Sequence, residues 1–328
     1  MLLATDRSRV MAAVLLAAVV VVPAARAEAP PAFVRTFALT GVAPGFVKGP
    51  SGMCIDAQGN LFVADRSNAR IQKFDADGTL MLVFGGLGVE NGQFADPADV
   101  AVDASGNIYV MDETNVRVQK FSANGTFIRK WGSFGLLPGQ FDGAVGLEVG
   151  PDNNIYVADR GNGRIQKFDP NGNLLALFGT SGPEAGQFND PRDLAIDANG
   201  EMFVLDRRNY RVQRFTSNGV FIGAWGIRGV QPGEYLYMRG IALDRDGHVF
   251  VTDGDLVRAD MYDYNGNLLA SWQPTPSRTP VSEPRGIAVD ANGRLYIADY
   301  GVDKIFLYDT STSSISESSW SGVKTLFR

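Results

Sequence analysis

The feature that most constrains this chain is an eleven-residue stretch that recurs at a fixed spacing. Its third copy reads ADRGNGRIQKF, and the second residue of every clear copy is an aspartate, with successive aspartates 47 residues apart. The four clear copies span Ala64–Phe74, Met111–Phe121, Ala158–Phe168 and Leu205–Phe215. Two degenerate copies follow at Asp253 and Asp299. A period of this size indicates a repeat architecture of six units, and it outweighs any local secondary-structure signal.

Each repeat predicts four short strands and no helix. In the fourth repeat, apolar or alternating segments occur at 194–196, 202–205, 211–215 and 220–225. Turns such as Asp-Ala-Asn-Gly separate the segments, and the glycine supplies the positive φ that such turns need. Four antiparallel strands joined by hairpin-length connections are typical of one propeller blade.

Six such units predict an all-β fold, namely a six-bladed β-propeller of four-stranded antiparallel blades that forms a single domain over residues 28–328. The predicted blades cover residues 50–95, 96–142, 143–189, 190–236, 237–282 and 283–320. Large aromatic residues recur at two positions of the repeat, and we expect them to pack between blades. They are Phe74, Phe121, Phe168 and Phe215 at one position, and Phe84, Trp131, Phe178, Trp225 and Trp272 at the other.

The ring is expected to close by pairing of its N- and C-terminal segments. Residues 33–37 (FVRTF) match the outer strand of a blade, FIRKW at 127–131, yet they precede the first blade. They are therefore predicted to pair with the last blade, at 286–309. Residues 315–320 (ISESSW) could instead supply that blade's own fourth strand, and the sequence leaves both arrangements open.

The first 27 residues are predicted to be a secretory signal peptide of bacterial type. Arg7 and Arg9 precede an apolar run at 11–22 that is short for a membrane span, and Ala25-Arg26-Ala27 forms a cleavage signal. The mature protein is therefore expected in the periplasm or outside the cell, with no membrane span. An uncleaved N-terminal anchor is the alternative.

Charge and cysteine content narrow the classes of function. Removal of residues 1–27 leaves a net charge near −8, so binding of nucleic acid or of anionic membranes is not expected. Cys54 is the only cysteine, so no intrachain disulfide can form, and its apolar strand predicts a buried, inert thiol. We expect a monomer that is held together by packing and ring closure.

The repeated motifs P-x-G-I-A-V-D, G-N-I-Y-V-A-D, N-x-R-I-Q-K-F and G-Q-F resemble those of NHL repeats. The resemblance covers about residues 33–309 and recurs six times in step. It implies the propeller fold, but it does not imply one function, because a fold hosts many activities. The NHL family includes protein-binding and RNA-binding propellers. It also resembles propeller lyases and calcium-dependent lactonases, whose metal ligands line the central channel.

The repeated aspartates are interpreted as structural. Each clear copy has an arginine five residues after its aspartate, as in Asp159 and Arg164, and we expect the two side chains to form an ion pair across the loop. Because the pair recurs, a brace is favoured over a site. Blade 5, with the segment 253–258, is interpreted as lacking the arginine at that spacing, and blade 6 as offering only Asp303 and Lys304.

Differences between the repeats predict a ligand site at one mouth of the channel. Blades 4 to 6 begin their inner strands with an arginine, whereas blades 1 to 3 have Ser51, Ala98 and Val145 there. The loop after the repeated aspartate lies on the same face and adds further arginines. The predicted ligand-binding residues are Arg192, Arg239, Arg285, Arg66, Arg160, Arg207, Asp99 and Asp193. Clustered arginines suit a carboxylate, phosphate or sulfate. The alternative is that they are solvated or pair with Asp99, Asp193 and Asp253.

Metal chemistry is the second class of function that the sequence allows. Glu148 is the only carboxylate at its strand position, where the other repeats have Cys54 or alanine. A lone, water-exposed glutamate is the favoured interpretation, since a calcium site would need further oxygen ligands in the channel. The Asp-Ala-x-Gly-Asn turns at 56–60 and 103–107 lack the acidic ligands of calcium loops and predict hairpins. Zinc is disfavoured because His248 is the only histidine.

The sequence therefore predicts an exported, non-enzymatic propeller without a cofactor. It is expected to bind a protein, or an anionic small molecule or glycan, over its arginine-bearing face. The alternative is a metal-dependent hydrolase or lyase whose site lies in the central channel, with calcium as the cofactor.

Overall fold

The computed structural model describes residues 28–274 and 282–311, which form six four-stranded antiparallel sheets. β1 spans Ala32–Ala38. Blade 1 contains β2 to β5 at Pro50–Ile55, Leu61–Asp65, Arg70–Phe74 and Leu80–Gly85. Blade 2 contains β6 to β9 at Pro97–Val102, Ile108–Asp112, Arg117–Phe121 and Phe127–Trp131. Blade 3 contains β10 to β13 at Leu147–Val149, Ile155–Asp159, Arg164–Phe168 and Leu174–Phe178.

The second half of the ring repeats this order. Blade 4 contains β14 to β17 at Pro191–Ile196, Met202–Asp206, Arg211–Phe215 and Phe221–Trp225, and the short pair β18 and β19 follows at Ile227–Arg228 and Glu234–Tyr235. Blade 5 contains β20 to β23 at Met238–Leu243, Val249–Asp253, Arg258–Tyr262 and Leu268–Trp272. Blade 6 contains β24 to β26 at Pro284–Val289, Arg294–Asp299 and Lys304–Asp309. The helical segments within the described ranges are the 3₁₀ turns Arg66–Asn68 and Arg207–Asn209. No helix in these ranges is long and apolar enough to cross a membrane.

The first strand of every blade lies at the centre of the ring. β2, β6, β10, β14, β20 and β24 contact one another in that order, and β24 also contacts β2. These six strands line a central channel. The predicted all-β fold, with six four-stranded antiparallel blades, is therefore confirmed.

The outer strand of blade 6 comes from the N-terminal segment. β1 pairs with β26 in an antiparallel arrangement, with Phe33 opposite Tyr308 and Thr36 opposite Phe306. The blade thus has the strand order β1-β26-β25-β24. The other candidate for this position, residues 315–320, lies outside the described residues.

Aromatic rings pack across the seams between blades, as expected. The rings of Phe84 in blade 1 and Phe121 in blade 2 lie 4.8 Å apart, and those of Trp131 in blade 2 and Phe168 in blade 3 lie 6.0 Å apart. Phe121 and Phe168 are almost fully buried. Such rings bury a large apolar area, so these contacts stabilise the ring rather than form a ligand pocket.

The repeated aspartate and arginine form the predicted ion pair in four blades. The pairs are Asp65 with Arg70 at 2.6 Å, Asp112 with Arg117 at 3.3 Å, Asp159 with Arg164 at 2.8 Å and Asp206 with Arg211 at 2.9 Å. In each pair the Nε atom contacts the carboxylate, and the terminal nitrogens donate to carbonyl oxygens of the preceding inter-blade loop. The aspartate also accepts a backbone N–H from that loop. Each pair therefore fastens one blade to the loop that precedes it.

The interpretation that blade 5 lacks this arginine was wrong. Arg258 lies five residues after Asp253 and opposite it in the strand pairing. Its Nε atom, however, contacts Asp260 at 3.0 Å, because Asp260 replaces the glutamine that the clear repeats have at this point. In blade 6 the strand pairing places Lys304 opposite Asp299, not in a pair with Asp303.

The Asp-Ala-x-Gly-Asn segments are hairpin turns, as predicted. Oδ1 of Asp56 accepts the backbone N–H groups of Gln58 and Asn60 at 3.0 and 2.9 Å. Asp103 binds Ser105 and Asn107 in the same way. A carboxylate that accepts bonds from its own turn stabilises the turn locally.

Candidate functional site: the channel mouth

Three inner strands carry arginines in a local irregularity at one end of the channel. In β14, Pro191 pairs with Asp206 and Leu194 with Val204, so Arg192 lies in the shifted stretch between them. The same shift occurs in β20 around Arg239 and in β24 around Arg285. Such bulges redirect side chains. All three arginines line the central cavity, which has a volume of about 190 Å³.

The loops that follow the second strands lie at this same end of the channel, as expected. Arg207 directly follows Asp206, the residue that pairs with the start of β14, and its guanidinium contacts Asp190 just before β14. We refer to the six arginines at this end as the mouth arginines. They are Arg66, Arg160, Arg192, Arg207, Arg239 and Arg285.

Five of the mouth arginines form ion pairs with carboxylates of their own or of a neighbouring blade. Their partners are Asp96 and Glu113 for Arg66, Glu113 and Asp190 for Arg160, Asp190 for Arg207, and Glu283 for Arg239 and Arg285. The expected alternative partners, Asp99, Asp193 and Asp253, were therefore wrong. The mouth is a mixed belt of paired charges rather than a uniformly basic face.

Arg192 differs from the other five. Its residue surface is only 6% exposed, and it makes no hydrogen bond or ion pair with any residue in the described ranges. Burial lowers the pKa of Arg192, and the nearby Arg239, Arg207 and Arg160 lower it further, to about 9. Glu113 acts in the opposite direction but does not compensate. Arg192 is thus a buried cation without a partner at the centre of the mouth.

Two tyrosines fix the orientation of the arginines around Arg192. Tyr237 lies between Arg207 and Arg239, whose guanidinium carbons are 4.2 and 4.1 Å from the centre of its ring. The guanidinium of Arg285 lies 3.3 Å from the ring centre of Tyr300. Burial raises the pKa of Tyr237, but the charges of its arginine neighbours outweigh burial and hold the pKa below its usual value. Stacking on an aromatic face restrains an arginine without neutralising it.

The sequence analysis missed Tyr237 and the acidic partners, although the repeat contains the signal. Arg192, Arg239 and Arg285 lie at the starts of their inner strands. The residues two positions before them are Asp190 in blade 4, Tyr237 in blade 5 and Glu283 in blade 6. Blade 2 has Asp96 at this position, whereas blades 1 and 3 have glycine. Alignment of this column would have identified three of the four carboxylates that neutralise the mouth, but not Glu113.

Asp99 and Asp193 lie deeper and link adjacent blades. Oδ2 of Asp99 accepts the backbone N–H of Leu147 at 2.8 Å, and Oδ2 of Asp193 accepts that of Ile241 at 3.0 Å. Burial raises the pKa of Asp99 well above its usual value and that of Asp193 to about 6. Their oxygens are thus occupied by backbone donors, and their role in ligand binding stays a prediction.

Glu148 lines the channel together with Asp99 and Asp193, which corrects the interpretation of a lone, water-exposed side chain. Its Oε1 atom accepts the backbone N–H of Val149 at 2.9 Å. Burial, reinforced by the charge of Asp193, raises the pKa of Glu148 to about 8. Cys54 occupies the equivalent position of blade 1; it is half-buried, and burial raises its thiol pKa.

The channel carboxylates do not converge as a metal site would require. Among the described residues, the group of potential ligand atoms that lie within 4.8 Å of one another is Asp244, Asp246 and His248. This group is in the hairpin between β20 and β21, at the end of the blade away from the mouth. Nδ1 of His248 is 2.7 Å from Asp244, which raises the histidine pKa.

Exposed apolar side chains surround the mouth, and the sequence analysis missed them. They lie on the loops that connect the outer strand of one blade to the inner strand of the next, which are on the face of the mouth because the repeated arginines bind their carbonyls. The most exposed, at 65–79%, are Val42, Leu87, Val89, Phe134, Leu136 and Leu137. The visible signal was apolar residues inside glycine-rich loops such as GSFGLLPGQF. Exposed apolar side chains that are close together, as in this apolar rim, are typical of a protein-binding surface.

Four of the six repeats match a known family of repeats. The NHL repeat model matches residues 48–74, 94–121, 141–168 and 188–215. The chain is an NHL-repeat β-propeller. The matched segments of this NHL propeller run from the mouth-facing loop through the second and third strands of blades 1 to 4, so the family motif is the structural brace described above.

Known proteins resemble the NHL propeller locally in sequence and globally in fold. Protein lin-41 of Caenorhabditis elegans is 44% identical over 48 residues, which are 15% of this chain and 4% of lin-41. Among solved structures, the gluconolactonase XC5397 from Xanthomonas campestris has a TM-score of 0.61 at 17% identity, with 86% of this chain and 95% of that chain covered. A streptogramin B lyase has a TM-score of 0.58 at 15% identity, with coverage of 83% and 96%.

A nidogen/laminin complex contains a further similar chain. Its TM-score is 0.56 at 16% identity, with 74% of this chain and 85% of that chain covered. Identities this low show the shared fold alone. Lyase, lactonase and protein-complex neighbours therefore do not distinguish an enzyme from a binding protein.

Proposed function

We propose that this NHL propeller is a binding protein that holds an anionic group at the channel mouth, with Arg192 as the central contact. The observation that carries the proposal is the burial of Arg192 without an ion pair or hydrogen bond in the described part of the chain. An unpaired buried charge costs several kcal/mol, and a bound anion would remove that cost. The five other mouth arginines have carboxylate partners, so Arg192 is where the belt lacks negative charge.

The geometry favours a compact anion over a polyanion. Arg207 and Arg239 flank the site and are held in place by Tyr237 and by their own carboxylate partners. A guanidinium presents a planar fork of donors that matches a carboxylate, phosphate or sulfate. Because the surrounding charges are already paired, one recessed anion fits the mouth better than an extended chain of phosphates does.

A panel of compact anions tests this proposal. Thermal unfolding of the mature protein is measured with acetate, phosphate, sulfate, mononucleotides and a sulfated glycan, each at matched ionic strength. We expect at least one anion to raise the midpoint temperature of the wild type, and Arg192→Gln to abolish the increase. Arg245→Gln is the matched control, because Arg245 is exposed in the β20–β21 hairpin on the opposite face. No shift with any anion, or an equal shift in Arg192→Gln, would refute the proposal.

A protein partner is the second candidate, and the apolar rim favours it. Leu136 and Leu137 are 72% and 66% exposed on the mouth face, where a partner could cover them while it places an acidic side chain at Arg192. In a capture experiment with the mature protein, Leu136→Ser and Leu137→Ser should together lose a partner that Leu175→Ser retains. Leu175 is 53% exposed on the outer strand of blade 3, away from the mouth. Equal capture by both variants would contradict this candidate.

Export remains part of the proposal. Residues 1–27 carry the predicted signal peptide and lie outside the described residues. In a bacterial host, the processed protein should be found in the periplasm or medium, with an N-terminus near Glu28. N-terminal sequencing of the purified protein checks this, and an intact Met1 in a cytoplasmic fraction would contradict it.

A further inference from the structure

We propose that the channel below the mouth binds the cationic end of the same ligand, so that the ligand is an amphoteric small molecule. Its anionic end would contact Arg192, and its ammonium group would pair with Glu148. The inference rests on the proposed anion site for one end of the ligand. The other end rests on the surroundings of Glu148, which are independent of Arg192.

Arg192 and Glu148 line one continuous cavity from adjacent blades. Val145 is the counterpart of Arg192 in blade 3, and Glu148 lies three residues further along the chain. A strand rises roughly 3.3 Å per residue, so the two backbone levels are about 10 Å apart along the channel. When Glu148 is ionised, a cation at one level and an anion at the other form a dipole, and neither side chain has an ion-pair partner among the described residues.

Glu148 has space in front of it and no cation beside it. Four of the equivalent positions that line the cavity have the small residues Cys54, Ala195, Ala242 and Ala288. Within the described residues, the Glu148 carboxylate accepts one hydrogen bond, from the backbone N–H of Val149 to Oε1, and Oε2 is left as an available acceptor. The nearest charged groups from the packed blades, Asp193 and Asp99, are also acidic.

An ammonium group suits these surroundings better than a divalent metal ion does. The oxygens of Asp99 and Asp193 already accept backbone N–H groups, and the three channel carboxylates do not form a group with ligand atoms within 4.8 Å. A divalent ion needs several oxygens at bonding distance. An ammonium needs a single carboxylate for a charge-assisted hydrogen bond, and its charge would stabilise the ionised form of Glu148, whose pKa burial raises to about 8.

The test is calorimetric titration of the mature protein with ω-amino acids of increasing chain length, from 3-aminopropanoate to 8-aminooctanoate, at about pH 8.5, where Glu148 is largely ionised and the amino groups are still cationic. Hexanoate and hexylamine are the matched ligands with one charge. We expect one-to-one binding, with the lowest dissociation constant at an intermediate chain length. At that length the ω-amino acid should bind at least about tenfold more tightly than hexanoate, which is the gain typical of one charge-assisted hydrogen bond. Glu148→Gln should remove the tightening but leave hexanoate binding unchanged.

Glu148→Ala is a second variant. Four other blades have alanine at the equivalent position, so we expect this variant to fold. If hexanoate binds through Arg192 but no ω-amino acid binds more tightly, or if Glu148→Ala keeps the tightening, the amphoteric ligand is refuted and the anion site stands. If neither hexanoate nor any ω-amino acid binds, the amphoteric ligand is refuted, and the anion site is refuted as well only if the panel of compact anions also gives no shift. A divalent ion that competes with the ω-amino acids in the wild type would refute the preference for ammonium.

Discussion

Glu148 and Asp193 face the same channel from adjacent blades, and the charge of Asp193 adds to burial in raising the pKa of Glu148 to about 8. Asp193 itself has a pKa raised to about 6 by burial. Both groups bind protons more tightly in the folded than in the unfolded chain. Folding stability therefore falls as the pH rises through the range between the ordinary carboxyl pKa and these raised values.

The first prediction concerns this pH dependence. The wild type should lose stability between about pH 5 and pH 8, and Glu148→Gln should remove part of that loss, because it has no proton to release. We expect the variant to be more stable than the wild type by about 1–3 kcal/mol at pH 8, with allowance for partial exposure. Urea unfolding at several pH values measures the effect. A wild-type-to-variant difference that does not change with pH would contradict the assignment.

Removal of one blade brace should be strongly destabilising. Asp159 accepts hydrogen bonds from Arg164, Gln166 and Asn162 and from the backbone of Asp142, at 2.8–2.9 Å. Asp159→Ala leaves these donors without an acceptor and should cost about 3–5 kcal/mol. The control is Asp77→Ala, in an exposed turn, which should change the free energy of unfolding by less than about 0.5 kcal/mol. Similar unfolding midpoints for the two variants in urea would show that the brace is dispensable.

A side chain at Gly52 should cost less stability when the side chain of Asp99 is removed. A Cβ atom at Gly52 would lie 1.8 Å from Oδ1 of Asp99 and 2.6 Å from its Cα. Gly52→Ala should therefore destabilise the seam between blades 1 and 2 by roughly 1–3 kcal/mol. Asp99→Gly, which copies the residue of blades 1 and 3, should make the alanine less costly in the double variant. Additive costs in a double-mutant cycle would contradict this contact.

Most of the fold follows from the sequence because the repeated motif encodes it locally. Turn residues and alternating strands recur in six blades, the spacing of Asp159 and Arg164 recurs in five, and each recurrence supports the others. The strand starts were less predictable, since Arg192 and Asp193 are polar and lie in a bulge that no alternation reveals. The position of the site was predictable from the columns where the repeats differ.

The sequence did not predict which of the mouth arginines form ion pairs. Pairing depends on which carboxylate of the same or a neighbouring blade reaches each guanidinium, and that is fixed by the ring geometry. Glu113, for example, contacts Arg66 of blade 1 and Arg160 of blade 3 although 47 residues separate it from each. The same geometry leaves Arg192 without such a partner in the described residues.

A buried cation that awaits a ligand should lower the stability of the free protein. Replacement of Arg192 by methionine keeps an unbranched but shorter side chain and removes the charge, so the ligand-free variant should be about 1–2 kcal/mol more stable than the wild type. Urea unfolding in a buffer without added anions measures this. A loss of stability of similar size would mean that Arg192 is compensated within the protein.

The central claim is that Arg192 binds an anion, and calorimetric titration with hexanoate and with each compact anion of the panel tests it most directly. Wild type, Arg192→Gln and the opposite-face control Arg245→Gln are compared at one ionic strength. The account predicts saturable one-to-one binding by the wild type and by Arg245→Gln, and no measurable binding by Arg192→Gln. Equal binding by all three proteins, or binding by none, would contradict it.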